Sequence, residues 1–216
     1  MTNLIKPRDL RCEYGRDPMG IDTPKPRFSW VVDTAKRGGR QSAYRITVKG
    51  KDGLAWDSGK VESSKSVNLV YGGGPLDSCA RYTWQVTLWD QDGIESAPSG
   101  EASFETAFLN RDMWKAQWIR GKNLFRKSYR VDKKVDHSRI YVSGLGYYVL
   151  YFNGKRIGDH VLDPACTDFD KLALYAAYDV DAEMLEGENA IGVALGSGRY
   201  SPNDLTCEKN WHPLKK

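Results

Sequence analysis

The segment Arg81-Tyr82-Thr83-Trp84-Gln85-Val86-Thr87-Leu88-Trp89 alternates between apolar and polar side chains along most of its length. A second segment, Ala43-Tyr44-Arg45-Ile46-Thr47-Val48-Lys49, shows the same alternation. Successive side chains of a strand point to opposite faces, so each segment has one apolar and one polar face. This period of two is typical of antiparallel sheets that bury one side and expose the other. The two segments therefore predict strands of an antiparallel β-sandwich.

The first half of the chain contains further short apolar runs that are separated by turn sequences. Additional strands are predicted at Phe28–Val32 and Ala102–Thr106. The turn sequences are Lys51–Gly53, Gly72–Pro75 and Asp90–Gly93. About seven short strands in about one hundred residues, with turns at regular spacing, are typical of an immunoglobulin-like or fibronectin-type sandwich. We therefore predict that residues 1–107 form a fibronectin type III-like sandwich.

A second β-rich segment follows the stretch Ala107–Ala116, which is polar and has no clear period. Its predicted strands are Phe125–Val131, Arg139–Ser143, Tyr147–Phe152, Leu174–Val180 and Ala190–Leu195. Asn153 and Gly154 follow the third of these strands, and both residue types tolerate the positive φ angles of a two-residue hairpin turn. Because no long amphipathic helix is predicted in the chain, the expected fold class is all-β.

The charge of the chain is nearly balanced. The 216 residues include 32 Lys and Arg against 28 Asp and Glu, which gives a net charge of +4 at pH 7. The densest basic stretch, Lys122–Arg139, contains a predicted strand, and a strand divides its charges between two faces. Proteins that bind nucleic acid usually gather basic residues on one face or in one run. We therefore expect a solvated surface here and no nucleic-acid partner.

The termini, the hydropathy and the cysteines bear on the location of the protein. No apolar run approaches the roughly 18 residues that a membrane-spanning helix needs, so no membrane partner is expected. The first residues lack the long apolar run of a signal peptide, which favours a cytoplasmic protein, although a protein whose signal peptide has been removed would fit as well. The 4 cysteines form no C-x-x-C pair and have no histidine at zinc-finger spacing. Free thiols are therefore expected rather than zinc ligands.

The sequence contains no motif for nucleophilic catalysis, because it lacks a G-x-S-x-G elbow and a histidine beside a nucleophile motif. Its tightest acidic cluster is Asp163-Pro164-Ala165-Cys166-Thr167-Asp168-Phe169-Asp170. In an extended chain Asp168 and Asp170 point the same way. Glycoside hydrolysis instead needs two carboxyl groups that face each other across the bond. No catalytic residue is therefore assigned.

Three interpretations of the acidic cluster stay open: a calcium site at Asp163, Asp168 and Asp170, a contact to sugar hydroxyls, or surface aspartates that form turns. Calcium is the one cofactor that this cluster suggests. Exposed Trp and Tyr side chains would complete a sugar-binding surface, because their flat rings can cover the apolar faces of pyranoses. Among the aromatic residues, Trp89, Tyr148 and Trp211 are the least committed to a core. The candidate carbohydrate-binding residues are Tyr148, Asp163, Asp168, Asp170 and Trp211.

The order of several motifs resembles the N-terminal region of bacterial α-L-rhamnosidases. In the first half the similar stretches are Pro18–Asp22, Pro26–Trp30, Gln41–Ile46, Trp56–Val61 and Tyr82–Asp90. In the second half they are Trp114–Ile119, Phe125–Lys127, Gly146–Lys155, Leu162–Pro164, Thr167–Lys171, Tyr178–Val180 and Gly187–Val193. One departure is Arg199, which stands where the family usually carries Trp.

The resemblance implies that residues 108–216 form the accessory jelly-roll domain of that family, truncated at its C-terminal side. It also implies that the catalytic (α/α)6 barrel is missing from this chain and would be its partner in cis, with rhamnose-containing glycosides as substrates. We therefore expect a non-catalytic region that is inactive alone and serves domain docking and sugar recognition in an enzyme that removes terminal α-L-rhamnose. The alternatives are a stand-alone carbohydrate-binding module and a structural or partner-binding β protein.

Overall fold

The fold was determined as a computed structural model that describes residues 5–196. The chain divides into two compact units, the first ending at Lys115 and the second beginning at Ala116. Nearly all of their regular secondary structure is strand, which confirms the predicted all-β fold class. Within the described residues, the helical structure is a single 3-10 turn at Arg111–Met113, and no helix there is long and apolar enough to cross a membrane.

The first unit is an immunoglobulin-like arrangement of two antiparallel sheets. One sheet has the strand order β1-β2-β6, and the other has the order β4-β3-β7-β8 with β5 also paired to β3. The strands are β1 (Lys6–Cys12), β2 (Arg27–Asp33), β3 (Gln41–Gly50), β4 (Gly53–Asp57), β5 (Val61–Glu62), β6 (Leu69–Val70), β7 (Arg81–Asp90) and β8 (Ala102–Glu105).

The core of the first unit is formed by the apolar faces that the alternating segments predict. Ile46 and Val48 of β3 and Val86 of β7 are completely buried. Phe28 of β2 comes from the other sheet and packs against Trp84 with ring centroids 4.5 Å apart. Burial of such aromatic and branched side chains supplies the main driving force for joining the two sheets.

The second unit also contains two antiparallel sheets. The larger has the strand order β12-β11-β14-β9, and the smaller pairs β10 with β13. The strands are β9 (Leu124–Val131), β10 (Arg139–Ser143), β11 (Tyr148–Phe152), β12 (Lys155–Arg156), β13 (Tyr175–Asp179) and β14 (Gly187–Leu195). The jelly-roll assignment of this unit and the domain limits 1–107 and 108–216 stay predictions.

The predicted hairpin joins β11 to β12. Asn153 and Gly154 have φ angles of 48° and 82°, and Phe152 lies directly opposite Lys155. Positive φ at both turn residues matches the right-handed twist of the two strands. The hairpin places Leu150 and Phe152 on the buried face of β11, while Tyr151 between them faces outward and is 37% exposed.

Candidate functional site

Two of the predicted sugar-binding residues, Tyr148 and Asp163, lie together in the second unit. The backbone N–H of Tyr148 donates to the carbonyl oxygen of Asp163 over 3.3 Å. The hydroxyl of Tyr148 lies 3.1 Å from that of Tyr178. Tyr178 in turn donates to Oδ2 of Asp163 over 3.0 Å, and Nδ1 of His160 lies 2.8 Å from the same oxygen. A hydrogen-bonded chain therefore connects the unit's core to a surface carboxylate.

The direction of the hydrogen bonds in this chain follows from the number of protons available. A tyrosine hydroxyl has one proton, and that of Tyr178 is directed to Asp163. The proton between the two hydroxyls therefore belongs to Tyr148, whose other acceptor, the carbonyl oxygen of Val142, is farther away at 3.5 Å. The hydrogen bond from Tyr178 therefore orients Oδ2 of the Asp163 carboxylate.

The pKa values of both tyrosines are raised, so both hydroxyls stay protonated at neutral pH and above it. Burial raises the pKa of Tyr148, and its hydrogen bond to Tyr178 and the negative charge of Asp163 raise it further. Burial is also the largest cause of the raised pKa of Tyr178, with the hydrogen bond to Asp163 adding to it. Both side chains are nearly inaccessible, at 7% and 5% exposure. Tyr148 thus presents no open ring face on which a sugar could stack.

A glycine allows the loop before Asp163 to approach the Tyr178 ring. Gly158 has a φ of +71°, and a Cβ at this position would lie 2.9 Å from Cε1 of Tyr178. Both the backbone angle and the close approach therefore favour glycine. His160, two residues further on, has its ring centroid 5.2 Å from that of Tyr178.

The other two aspartates of the acidic cluster have separate partners. Oδ2 of Asp168 forms an ion pair with Nζ of Lys171 over 2.7 Å, and this contact holds the pKa of Asp168 below its usual value. The backbone N–H of Asp170 donates to Oδ1 of Asp168 over 3.3 Å. Over residues 5–196, no group of three His, Cys, Asp or Glu side chains is placed so that it could hold a metal ion. Calcium binding at these aspartates stays a prediction.

A small pocket lies beside this acidic cluster. It is lined by the loop Gly144–Tyr147 and by Pro164, Cys166 and Phe169. Cys166 is a free, exposed thiol. Trp211, the remaining predicted sugar-binding residue, lies outside the described residues.

Tyr178 and His160, two members of the hydrogen-bonded chain, are not predicted from the sequence. Tyr178 lies within a predicted strand, but nothing in its local sequence indicates that its hydroxyl meets a residue 15 positions earlier. His160 stands three residues before Asp163, so its proximity could have been noticed, although spacing in a loop does not specify contact.

Comparison with known families agrees with this two-unit organisation. Residues 7–110 match the family described as the Rha78A-like N-terminal immunoglobulin domain. Residues 133–213 match the family described as the alpha-L-rhamnosidase N-terminal domain. The chain belongs to the α-L-rhamnosidase family and corresponds to its N-terminal region.

Individual α-L-rhamnosidases match nearly the whole chain. A Formosa agariphila enzyme is 36% identical over 87% of this chain and 24% of its own length. An Alteromonas enzyme is 32% identical over 91% of this chain and 24% of its own length. The chain therefore spans about a quarter of these relatives.

Solved structures of rhamnosidases share the fold. The α-L-rhamnosidase of Dictyoglumus thermophilum superposes with a TM-score of 0.87 and 40% identity, over 93% of this chain and 26% of that one. The Aspergillus terreus enzyme gives a TM-score of 0.80 and 30% identity, over 92% and 24%. Both units of the rhamnosidase N-terminal region are thus represented in known structures.

Proposed function

We propose that this chain is a non-catalytic region of an α-L-rhamnosidase, which docks against a catalytic part of the same polypeptide and contributes to recognition of rhamnose-containing glycosides. The observation that carries the proposal is the match of both units, in order, to about a quarter of each rhamnosidase. Hydrolysis of terminal α-L-rhamnose would then be the task of the remaining three quarters.

The carboxyl groups of the described residues support a non-catalytic role. A glycosidase needs a general acid, and a carboxyl group serves as one near neutral pH only when its environment raises its pKa. Every shifted carboxyl pKa among residues 5–196 is instead lowered, at Asp9, Glu13, Asp57, Asp92, Asp168 and Asp181.

Asp163 is the residue in this unit best suited to contact a sugar. Its side chain is 23% exposed and is oriented by Tyr178 and His160. A carboxylate with free lone pairs accepts hydrogen bonds from sugar hydroxyls. Because Tyr178 and His160 occupy Oδ2, Oδ1 is the atom that we assign to this contact.

Docking can be tested by mixing this chain with the Dictyoglumus thermophilum enzyme from which the matching N-terminal quarter has been deleted. Sedimentation velocity should show a complex that is absent with an unrelated immunoglobulin-like domain. If the catalytic part is folded and no complex with the chain forms at any concentration, docking is contradicted.

Sugar recognition can be tested by calorimetric titration with L-rhamnose, with and without Ca²⁺. We expect binding by the natural chain, loss of binding in Asp163→Ala, and retention in Asp159→Ala, which removes an exposed carboxylate from the same loop. Absence of heat in both conditions, or equal loss in both variants, would contradict recognition through Asp163.

A further inference from the structure

A row of four residues crosses the outer face of the larger sheet in the second unit. Arg156 of β12 lies opposite Tyr151 of β11, Tyr151 lies opposite Gly192 of β14, and Gly192 lies opposite Arg126 of β9. Residues directly opposite each other in antiparallel strands share one face. We call Arg156, Tyr151, Gly192 and Arg126 the outer row. With strands 4.7–4.9 Å apart, the Cα atoms of its two arginines are about 14 Å apart.

The outer row does not contribute to the core of the unit. The next residues on β11 and β14, Phe152 and Ile191, pair with each other and point to the opposite side, where both belong to the apolar cluster. Arg126 and Arg156 are exposed, and Tyr151 retains 37% of its accessible surface. The four residues are therefore not explained by packing of the sandwich.

The two guanidinium groups of the outer row carry unneutralised charge. In the part of the chain that the structure describes, Arg126 has no hydrogen-bond or ion-pair partner. Arg156 donates one hydrogen bond, to the carbonyl oxygen of His160 over 3.1 Å, and so keeps donors available. Arg130, further along the same face of β9, differs because Asp132 and Glu188 pair with it.

Gly192 places no side chain between those of Tyr151 and Arg126 on this face. A Cβ at this position would lie 3.6 Å from Cβ of Tyr151, an ordinary contact distance, and no positive φ requires glycine here. A glycine inside a strand weakens the strand and often marks a place where a ligand comes close. The row therefore has a gap in its side chains at Gly192, next to Tyr151, and an arginine at each end.

We propose that the outer row binds an anionic oligosaccharide, with one sugar ring over Gly192 against Tyr151 and acidic groups paired to Arg126 and Arg156. Guanidinium groups hold carboxylates through two parallel hydrogen bonds. The choice of a saccharide rests on the proposed function in carbohydrate processing. A nucleic acid is disfavoured because Lys127 projects to the other side of β9, opposite Ile191, so the basic residues form no continuous track.

Calorimetric titration with trigalacturonic acid tests the proposal directly, with neutral cellotriose and a short single-stranded DNA as comparison ligands. The natural chain should bind the trigalacturonate and not the cellotriose. Arg126→Ala, Tyr151→Ala and Gly192→Val should each weaken binding at least tenfold. Gly192→Val fills the gap with a residue that strands favour, so a loss of binding there is not a loss of folding.

Lys127→Ala is the matched control, because it removes one positive charge from the neighbouring position on the opposite face. It should bind like the natural chain. Equal weakening in Lys127→Ala and Arg126→Ala would overturn the proposal, as would no binding of trigalacturonate or DNA binding with the same dependence on the outer row. Because Asp163 is not a member of the outer row, failure of the natural chain to bind rhamnose would count against the proposed function and not against this site.

Discussion

The hydroxyl of Tyr178 accepts a hydrogen bond from Tyr148 and donates one to Asp163. Replacing it with phenylalanine removes the nearer partner of the buried Tyr148 hydroxyl, which then has only the carbonyl oxygen of Val142 at 3.5 Å. Asp163 also loses a donor, and poorly satisfied buried polar groups cost about 1–3 kcal/mol. We expect Tyr178→Phe to lower the free energy of unfolding in urea by about 2 kcal/mol. Tyr151→Phe removes a hydroxyl from the exposed outer row and should change this energy by less than about 0.5 kcal/mol. Similar losses in both variants would show that the buried chain of hydrogen bonds is not important for stability.

Single residues also show how far a sequence can predict a site. The acidic cluster Asp163–Asp170 can be recognised in the sequence, because aspartates recur within one short segment. The contacts of these aspartates differ in range. Asp163 accepts a hydrogen bond from Tyr178 of β13, whereas Asp168 forms an ion pair with Lys171 within its own loop. Local spacing contains no information about the first contact, which is why the sequence left three interpretations open.

At the scale of elements, the side chain of Asn189 connects β14 to the loop that precedes it and to the β11–β12 hairpin turn. Its amide group donates to the carbonyl oxygens of Leu185 and Gly187, and its Oδ1 accepts from the backbone N–H of Leu185 and from Asn153 in the hairpin turn. The residue is only 2% exposed, so water cannot replace these partners if the side chain is lost.

We therefore expect Asn189→Ala to destabilise the second unit by about 2–4 kcal/mol, since several buried backbone groups lose a partner at once. Thermal unfolding followed by circular dichroism measures the effect. Asn123→Ala, at an exposed position before β9, is the control and should leave the midpoint nearly unchanged. A midpoint for Asn189→Ala equal to that of the control would contradict the role assigned to the amide.

The strands that alternation predicts are those with one fully apolar face. The predicted segments Ala43–Lys49 and Arg81–Trp89 lie within β3 and β7, whose inward residues are buried. By contrast, β1 contains Pro7, Arg8, Asp9 and Arg11, and no period of two reveals it. Similarly, β14 begins at Gly187 rather than at the predicted Ala190, because Gly187–Asn189 join the strand through hydrogen bonds and not through apolar pairing.

For the molecule as a whole, we propose that this rhamnosidase region does not catalyse hydrolysis by itself. The measurement that tests it most directly is the release of nitrophenol from p-nitrophenyl α-L-rhamnoside by the purified chain, beside the intact Dictyoglumus thermophilum enzyme at equal molar concentration. We expect release by the intact enzyme and none above the buffer blank by this chain. Sustained release that copurifies with the chain would contradict it.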